Sequence, residues 1–545
     1  MTAESRTGKT VSGLPVDTAL EAQPTDAIEG KPVSSRYSLQ NPFLRLSAAT
    51  LSGVLLFSSF PEIHWHLLAW IAGVPLLVAL VNEPSLGRAY VWAHLCGAVF
   101  IGGSCHWFLD VLEIHGGLSA PLAIFAVGLF LAVYPAIYGA FGIAIAWTAR
   151  RSPAAALGLS PFLWVVLELG RSYWMTGFPW NLLGYAVEAP GLRQLASSTG
   201  VYGLSFLAMA TSAFVAWVLL EPRRRALQVA GIAWVGLLGL ANWYLTPPPV
   251  APGSRVAHLV QPNVPLDVES LVNWAPWNNP RPLEGLLAIT AASVDRLPSD
   301  NAHPLLVVWP ENSAPFYFDG DEIFHSAVIG MARRNKAYVV FGTVTYADPQ
   351  HTQPKNSAIV LDPAGRVVLA YDKIHLVPFG EYVPSWAFPD LVGKITHEAG
   401  NFVAGSEYKA AVTPEGALGI FICYESVFPQ LVRALTPDGP GVLINISNDA
   451  WFGGSAAAAQ HLEMARLRAI ENGRYLLRAT NDGTTAIIDP YGRVVESLPR
   501  YQQEVLAGRF DYLAGRTFYH AHGDVFAWLC SLISLAILAA LAARK

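Results

Sequence analysis

The chain has 545 residues, of which 53% are hydrophobic and only 14% are charged, and its mean hydropathy is +0.36. Because soluble domains usually carry about a quarter charged residues, much of this surface must face something other than water. The net charge of −5 is small for this length and excludes a general attraction to nucleic acid, so we expect no DNA or RNA partner.

The first 38 residues differ from the rest, because they are rich in Thr, Ser, Gly, Pro and charge and contain almost no aromatic residues. Such a segment cannot bury enough apolar surface to offset the entropy of ordering it. It also lacks the basic-then-apolar order of a secretory signal. We therefore predict a disordered cytoplasmic tail over residues 1–42.

Eight apolar runs follow, and a helix needs roughly 20 such residues to cross a bilayer. They lie near 43–60, 65–81, 89–109, 118–147, 154–169, 200–220, 226–245 and 525–543. The fourth contains Pro135, which a membrane helix tolerates as a kink. The alternative is buried helices of a large soluble protein, but charges confined to the run ends favour membrane helices. We predict a transmembrane domain of seven helices over residues 43–245 and an eighth, C-terminal transmembrane helix in residues 525–545.

Lys and Arg in the short connections indicate the orientation, because they concentrate on the cytoplasmic side. With the N-terminus inside, the inner set is Arg45, Arg88, Arg150, Arg151, Arg223, Arg224, Arg225, Arg544 and Lys545. The short outer connections hold little beyond Arg171 and Arg193. The pattern predicts both termini in the cytoplasm and residues 246–524 outside the plasma membrane.

From Ser254 onward, short β-branched runs alternate with helical patterns at 282–297, at 321–335 and near 459–472. This alternation predicts an α/β domain over residues 246–524, with helices covering its sheets. The turn signals "DPAG" and "DPYG" further predict hairpins over Val360–Leu369 and Ile487–Val495.

Three of the predicted strands end in polar residues, namely Glu311, Lys373 and Cys423. Ligands and catalytic groups of such folds gather at strand ends, and a buried ionisable group there needs a partner. Cys423 is also the only cysteine of this domain. A lone cysteine is more often an inert buried residue, but unpaired structural cysteines are unusual in an oxidising compartment. Together with the Glu and the Lys, these facts favour a reactive thiol.

The three residues are chemically suited to acyl transfer. A thiol with a pKa of about 8.5 is a poor nucleophile until its proton is removed. Glu311 can accept that proton as general base, and Lys373 can stabilise the oxyanion of a tetrahedral intermediate. We therefore expect acyl transfer in two half-reactions through a thioester. The chain contains no HExxH or CxxC motif and no phosphate-binding glycine loop, so we expect no metal and no cofactor.

Several longer motifs resemble those of one membrane family. They are "TGFPWNLLGY" at 176–185, "QPNVP" at 261–265, "WPEN", "DKIHLVPFGEYVP", "CYESVFP", "NISNDAWFG" and "QHLEMARLRAIENGRYLLRATNDGTTAIIDPYG". Together they resemble the apolipoprotein N-acyltransferases, membrane members of the nitrilase or carbon–nitrogen hydrolase superfamily. The resemblance spans about residues 43–543. It implies a membrane domain of about eight helices and a nitrilase-like αββα sandwich that carries a Glu–Lys–Cys triad.

The resemblance also implies an activity and its partners. The family takes an acyl chain from a membrane phospholipid onto the cysteine and releases a lysophospholipid. It then passes the acyl group to the N-terminal α-amine of a diacylglyceryl-cysteine apolipoprotein. The implied location is the bacterial inner membrane, with the catalytic domain on the periplasmic side. Nothing in the sequence demands a partner subunit, so we expect a monomer.

The family's base, oxyanion lysine and nucleophile match Glu311, Lys373 and Cys423. Its further glutamate, in "FGEY", matches Glu381, for which a solvated loop acid is the alternative.

The residues after the nucleophile match Tyr424 and Glu425. Glu425 either influences the chemistry or only pairs with a nearby arginine. A functional loop tryptophan falls on Trp274, with Trp277 as the alternative.

Four more residues are candidates for substrate contact. Trp386 and Phe388 lie in "YVPSWAFPDLV", which is either a lid that dips into the membrane or a loop packed on the domain. Asn448 and Trp451 either line the pocket or form the turn after a strand.

Two other functions share the same residues. A membrane-anchored amidase would use water to resolve the thioester, although eight helices are excessive for an anchor. A non-catalytic scaffold that binds lipoproteins would be expected to lose at least one of the three residues.

Overall fold

The computed structural model describes residues 41–298, 303–312, 314–384 and 401–544. Its first part is a bundle of apolar helices, and connecting one-turn helices lie between them. The helices are Pro42–Ser58, His66–Trp70, Val74–Val81, Leu86–Ser104, Phe108–Asp110, Val111–His115, Ala120–Val133, Ala136–Ala149, Pro153–Arg171, Trp174–Thr176, Leu183–Ala186, Leu192–Leu195, Ala196–Thr199, Val201–Leu220 and Arg225–Leu245. One more apolar helix, Val525–Ala543, packs against Pro153–Arg171 at the end of the chain.

Every predicted apolar run contains a helix, but the predicted count of eight spans is not confirmed. Among the described residues, five helices are long and apolar enough to cross a membrane. A sixth is added if Leu86–Ser104 and Phe108–His115, which are bent by 65°, form one span. The first two runs form shorter apolar helices, and Pro42–Ser58, with 17 residues, rises only about 26 Å against a bilayer core of about 30 Å.

The fourth apolar run, in which the sequence allows a kink at Pro135, is interrupted at this residue. Helix Ala120–Val133 ends just before it and helix Ala136–Ala149 begins just after it. Proline has no N–H to donate to the preceding turn, which explains why the break falls there.

The second part of the chain is built on two six-stranded sheets. The strands are β1 Arg255–Gln261, β2 Leu305–Val308, β3 Ala337–Tyr346, β4 Pro354–Leu361, β5 Val367–Asp372, β6 Ala411–Thr413, β7 Gly416–Ile422, β8 Gly441–Ser447, β9 Leu476–Thr480, β10 Ala486–Ile488, β11 Val494–Ser497 and β12 Glu504–Phe510. The first sheet has the order β12-β1-β2-β3-β4-β5, and the second has the order β11-β10-β9-β8-β7-β6. Both predicted hairpins are confirmed, as antiparallel β4–β5 and β10–β11 pairs.

Alternate residues of the first sheet face different layers, as strand geometry requires. Leu259 and Val340 belong to the core that contains Ile420 of the second sheet, whereas Val260 and Val339 pack into a separate outer core. The helices outside the sheets are Val268–Trp274, Arg281–Arg296, Glu322–Asn335, Cys423–Val427, Pro429–Leu435, Asp449–Phe452, Ala457–Asn472 and Phe518–His522. The layer order is that of the predicted αββα sandwich.

Helix Ala457–Asn472, which we call the docking helix, joins the sandwich to the apolar helices. Its Gln460 accepts a hydrogen bond from Trp180 Nε1 at 2.7 Å. The same side chain donates to the carbonyl oxygens of Pro61 at 2.6 Å and Ser104 at 3.1 Å. Three separate segments of the helical bundle are therefore bound by one buried side chain of the sandwich.

Candidate active site

Glu311, Lys373 and Glu381 form one buried cluster at an edge of the first sheet. Strands β2 and β5 run in the same direction, so Glu311 and Lys373, which follow their C-terminal ends, lie at the same edge. Lys373 Nζ lies 3.2 Å from Glu311 Oε1 and 3.0 Å from Glu381 Oε1. Only 1% of the lysine side chain is exposed. One cation thus bridges two carboxylates away from water.

Asn356 completes this cluster and was missed by the sequence analysis. Its Nδ2 donates to Glu311 Oε1 at 2.8 Å and to Glu381 Oε1 at 2.7 Å. A signal was available, because the hairpin that pairs Val360 with Leu369 also brings Asn356 opposite Lys373. The backbone of Lys373 indeed donates to the carbonyl oxygen of Asn356 at 2.8 Å.

The charges of the cluster keep the lysine protonated. Burial lowers the pKa of Lys373, but the carboxylates of Glu311 and Glu381 outweigh burial, so that its pKa lies above the ordinary value. A permanent ammonium group at this place suits the stabilisation of an oxyanion.

Glu311 also connects the two sheets. Its Oε2 accepts a hydrogen bond at 2.8 Å from the backbone N–H of Asn448, which directly follows β8. The side chain of Asn448 accepts from the backbone N–H of Ala450 at 3.3 Å and from Asn481 Nδ2 at 3.1 Å. The backbone of Asn448 therefore binds the carboxylate of Glu311, while the side chain of Asn448 stabilises the turn after β8.

Cys423 follows β7 and begins the one-turn helix Cys423–Val427, with only 6% of the residue exposed. Burial raises the pKa of its thiol, and the nearby Glu311 raises it further, whereas Lys373 lowers it. The net pKa lies above the ordinary value of a cysteine. The thiol is thus protonated at neutral pH, and a proton acceptor is needed before it can act as a nucleophile.

Glu425 is fully buried and holds the backbone on both sides of the site. Its carboxylate accepts from the N–H groups of Ile374 at 2.7 Å, His375 at 3.1 Å and Ile422 at 2.7 Å, and from the Tyr371 hydroxyl at 2.9 Å. These partners, rather than an arginine, fix the loop after Lys373 to the residue before Cys423. Burial raises the pKa of Glu425 to about 7, while the backbone donors lower it.

We expect Glu425→Gln to destabilise the protein by roughly 1–3 kcal/mol, because an amide in either orientation points its NH₂ at a backbone N–H. The melting temperature of the detergent-solubilised protein should therefore fall. An unchanged melting temperature in the variant would contradict this structural role of Glu425. Glu407→Gln, at an exposed glutamate, is the matched control.

Tyr424 links the one-turn helix Cys423–Val427 to the segment "TGFPWNLLGY". Its hydroxyl donates to the carbonyl oxygen of Gly177 at 3.1 Å, and its ring stacks on Trp180 with 6.5 Å between centroids. Gly177 has φ +90°, and a Cβ there would lie 2.4 Å from a backbone oxygen, so the chain requires glycine at this contact. Residues of the helical bundle therefore contact the residue directly after Cys423.

Of the aromatic residues proposed from the sequence for substrate contact, those that the structure describes are not part of the buried cluster around Lys373. Trp274 packs into the outer core of the first sheet, and Trp277 is exposed and stacks on Tyr317. Trp451 is 43% exposed and lies 4.8 Å from the His115 ring. Trp386 and Phe388 lie outside the described residues.

Across residues 41–298, 303–312, 314–384 and 401–544, no group of three or more His, Cys, Asp or Glu side chains is placed to hold a metal ion. The chemistry available at the site is that of a thiol, two carboxylates and an ammonium group.

Comparison with known proteins identifies matches to both parts of the chain. Residues 52–214 match the family model of the apolipoprotein N-acyltransferase N-terminal domain, and residues 281–516 match the carbon-nitrogen hydrolase model. The apolipoprotein N-acyltransferase of Geobacter metallireducens is 36% identical over 91% of this chain and 95% of its own length. Those of Methylococcus capsulatus and Bradyrhizobium diazoefficiens are 33% and 32% identical, over 87% and 86% of this chain and 92% and 90% of their own lengths.

Proposed function

This chain belongs to the apolipoprotein N-acyltransferase family and acylates the N-terminus of lipoproteins, and we propose that it does so through a thioester on Cys423. The observation that carries the proposal is the buried cluster in which Lys373 bridges Glu311 and Glu381, because the charges of Glu311 and Lys373 lie close enough to Cys423 to shift the pKa of its thiol. That arrangement offers a nucleophile, a proton acceptor and a fixed cation.

In the first half-reaction, Glu311 takes the thiol proton as the sulfur attacks the ester carbonyl of a membrane phospholipid. Lys373 stabilises the negative oxygen of the tetrahedral intermediate. The intermediate collapses, the C–O bond to the glycerol breaks, and the proton on Glu311 passes to the leaving oxygen. The products are a lysophospholipid and an acyl thioester on Cys423.

In the second half-reaction, the α-amine of a diacylglyceryl-cysteine apolipoprotein attacks the thioester. Glu311 accepts a proton from the amine, and the C–S bond breaks. The departing thiolate recovers that proton, so the enzyme returns to its starting state with an amide formed on the acceptor. The expected kinetics are ping-pong, because the lysophospholipid leaves before the amine reacts.

We further propose the topology given by the charge pattern, with a tail over residues 1–42, membrane helices in residues 43–245 and 525–545, and residues 246–524 outside. Three members of the inner basic set, Arg45, Arg88 and Arg150, lie close together at residues 83–84, which supports this orientation. Glu83 pairs with Arg45 at 2.6 Å and with Arg88 at 2.9 Å, and Arg150 donates to the carbonyl oxygen of the adjacent Pro84.

The orientation can be tested with fusions after Lys545. A green fluorescent protein should fluoresce there, and an alkaline phosphatase should be inactive, because the C-terminus is expected in the cytoplasm. The opposite pattern would overturn the topology. Fusions after Val250 should give the reverse result and serve as the control.

The central experiment is to incubate purified protein in detergent with labelled phospholipid and to search for an acyl adduct on Cys423 by mass spectrometry. Wild type should form the adduct, and Cys423→Ala should not. Addition of a diacylglyceryl-cysteine peptide should then move the label to its α-amine. Label that ends as free fatty acid, with the peptide untouched, would indicate an amidase-like hydrolase. Absence of an adduct in wild type would refute the thioester mechanism.

A further inference from the structure

The backbone of Cys423 is held in an uncommon conformation. Its φ is +49°, in the left-handed region that residues with a Cβ rarely occupy. Such a conformation persists only where surrounding groups impose it. The groups that impose it therefore determine where the thiol points.

His461, on the docking helix, contacts this strained residue directly. Its Nε2 lies 3.0 Å from the carbonyl oxygen of Cys423 and 2.6 Å from the hydroxyl of Ser426. His461 is completely buried. The sequence pattern does not place His461 beside Cys423, from which it is 38 residues away.

An ion pair on the far side of the ring sets the position of its proton. Arg478 Nη2 donates to Asp449 Oδ2 at 2.7 Å and approaches His461 Nδ1 at 3.1 Å. A guanidinium group has only donors, so Nδ1 accepts. Asp449 Oδ1 lies 3.1 Å from the same Nδ1 and also accepts from the Ser447 hydroxyl at 2.7 Å. With Nδ1 as the acceptor of the Arg478 N–H, we assign the ring proton to Nε2, which faces the carbonyl oxygen of Cys423.

The ring is also neutral. Burial lowers the pKa of His461, and the Arg478 guanidinium lowers it further, against the opposing effect of Asp449. A neutral imidazole whose Nε2 already carries the proton cannot accept the proton of the thiol. Its contact is with the backbone of Cys423, and so its effect is on geometry.

We propose that His461 is a positioning residue that holds the Cys423 carbonyl, and through it the thiol, in line with Glu311 and Lys373. This inference rests on the proposed thioester mechanism and assigns it a part that lies outside the Glu–Lys–Cys residues. The preceding residue, Gln460, binds Trp180, Pro61 and Ser104 of the helical bundle. Two consecutive residues of the docking helix, Gln460 and His461, thus connect the helical bundle to the backbone of Cys423.

The test compares His461→Ala with His461→Gln, because the glutamine amide can present an N–H near the place of Nε2. The measurement is the single-turnover rate of acyl-enzyme formation with labelled phospholipid between pH 6 and 9, at several lipid concentrations. His461→Ala should lower the maximal rate by about 10²-fold, as expected for a misplaced reacting group, and leave the half-saturating lipid concentration unchanged. His461→Gln should recover most of the rate with the pH profile of wild type.

Met464→Ala is the matched control, because it removes another fully buried side chain of the same helix. It should lower the melting temperature without the loss of maximal rate. A wild-type rate in His461→Ala, or an equal rate loss in Met464→Ala at equal melting temperature, would overturn the inference. A rate in His461→Gln as low as in His461→Ala, with a changed pH profile, would also overturn it and indicate a base. Failure of wild type to form any adduct would instead refute the proposed function.

Discussion

The Glu311→Gln protein should form the acyl-enzyme about 10³-fold more slowly than wild type at neutral pH, within the range expected for loss of a general base. The amide cannot take the thiol proton, and the raised pKa of Cys423 leaves little thiolate to react without a base. Single-turnover labelling of Cys423 measures the effect. The defect should diminish as the pH rises, by about tenfold per unit, because each step in pH multiplies the thiolate fraction until the thiol pKa is reached.

Glu381→Gln is the matched control for this prediction. Glu381 contacts the same Lys373 Nζ and the same Asn356 Nδ2 as Glu311, and it also accepts from the Val377 N–H at 2.7 Å. Its loss removes the same kinds of contact, but in the proposed mechanism it does not remove the proton acceptor. We expect a smaller defect, about 10- to 100-fold, as for groups that orient reacting residues, with no recovery at high pH. Equal defects and equal pH profiles in the two variants would contradict the assignment of Glu311 as base.

Much of the sandwich could be predicted from the sequence because its strands are short, apolar and bounded by turn residues. The "DPAG" turn predicts the β4–β5 hairpin. The register of that hairpin places Asn356 opposite Lys373, and the two residues are hydrogen-bonded through their backbones. Glu311 and Lys373 could be placed together because both follow strands of the same sheet. The local sequence pattern was therefore sufficient to predict contacts between residues that follow strands of the same sheet.

Long-range contacts could not be predicted in this way. Periodicity places His461 on a helix, but it does not reveal that the helix passes behind Cys423 or that Arg478 fixes the ring. The same holds for Glu425, because three of its partners, Tyr371, Ile374 and His375, lie in β5 and in the loop that follows it. The number of spans also could not be read from hydropathy, since apolar runs of similar composition became helices of unequal length.

The site combines groups from both sheets, so its geometry depends on how the two sheets pack against each other. Lys373 follows the first sheet and Cys423 follows the second, while Glu311 contacts the backbone of Asn448 between them. Glu425 then ties the lysine loop to the strand before the nucleophile. A small shift between the sheets would separate Glu311 from the Cys423 thiol, so, in the proposed mechanism, stability and activity are expected to be coupled.

Lys373→Met should lower both the stability of the protein and the rate of acyl-enzyme formation. In the wild type, the carboxylates of Glu311 and Glu381 share the Nζ of Lys373. The variant leaves both carboxylates in a buried cluster without a cation. Removing one partner of a buried ion pair costs about 3–5 kcal/mol, and loss of an oxyanion donor lowers the rate by about 10²- to 10³-fold. The melting temperature and the rate of acyl-enzyme formation should both fall sharply.

The double variant Lys373→Met, Glu381→Gln separates these two effects. Removing one of the two carboxylates relieves their repulsion, so the melting temperature should recover substantially toward that of wild type. The rate of acyl-enzyme formation should stay low, because no cation faces the developing oxyanion. Recovery of both values would show that Lys373 only stabilises the fold, since a stable site without the ammonium group would then be sufficient for acyl transfer.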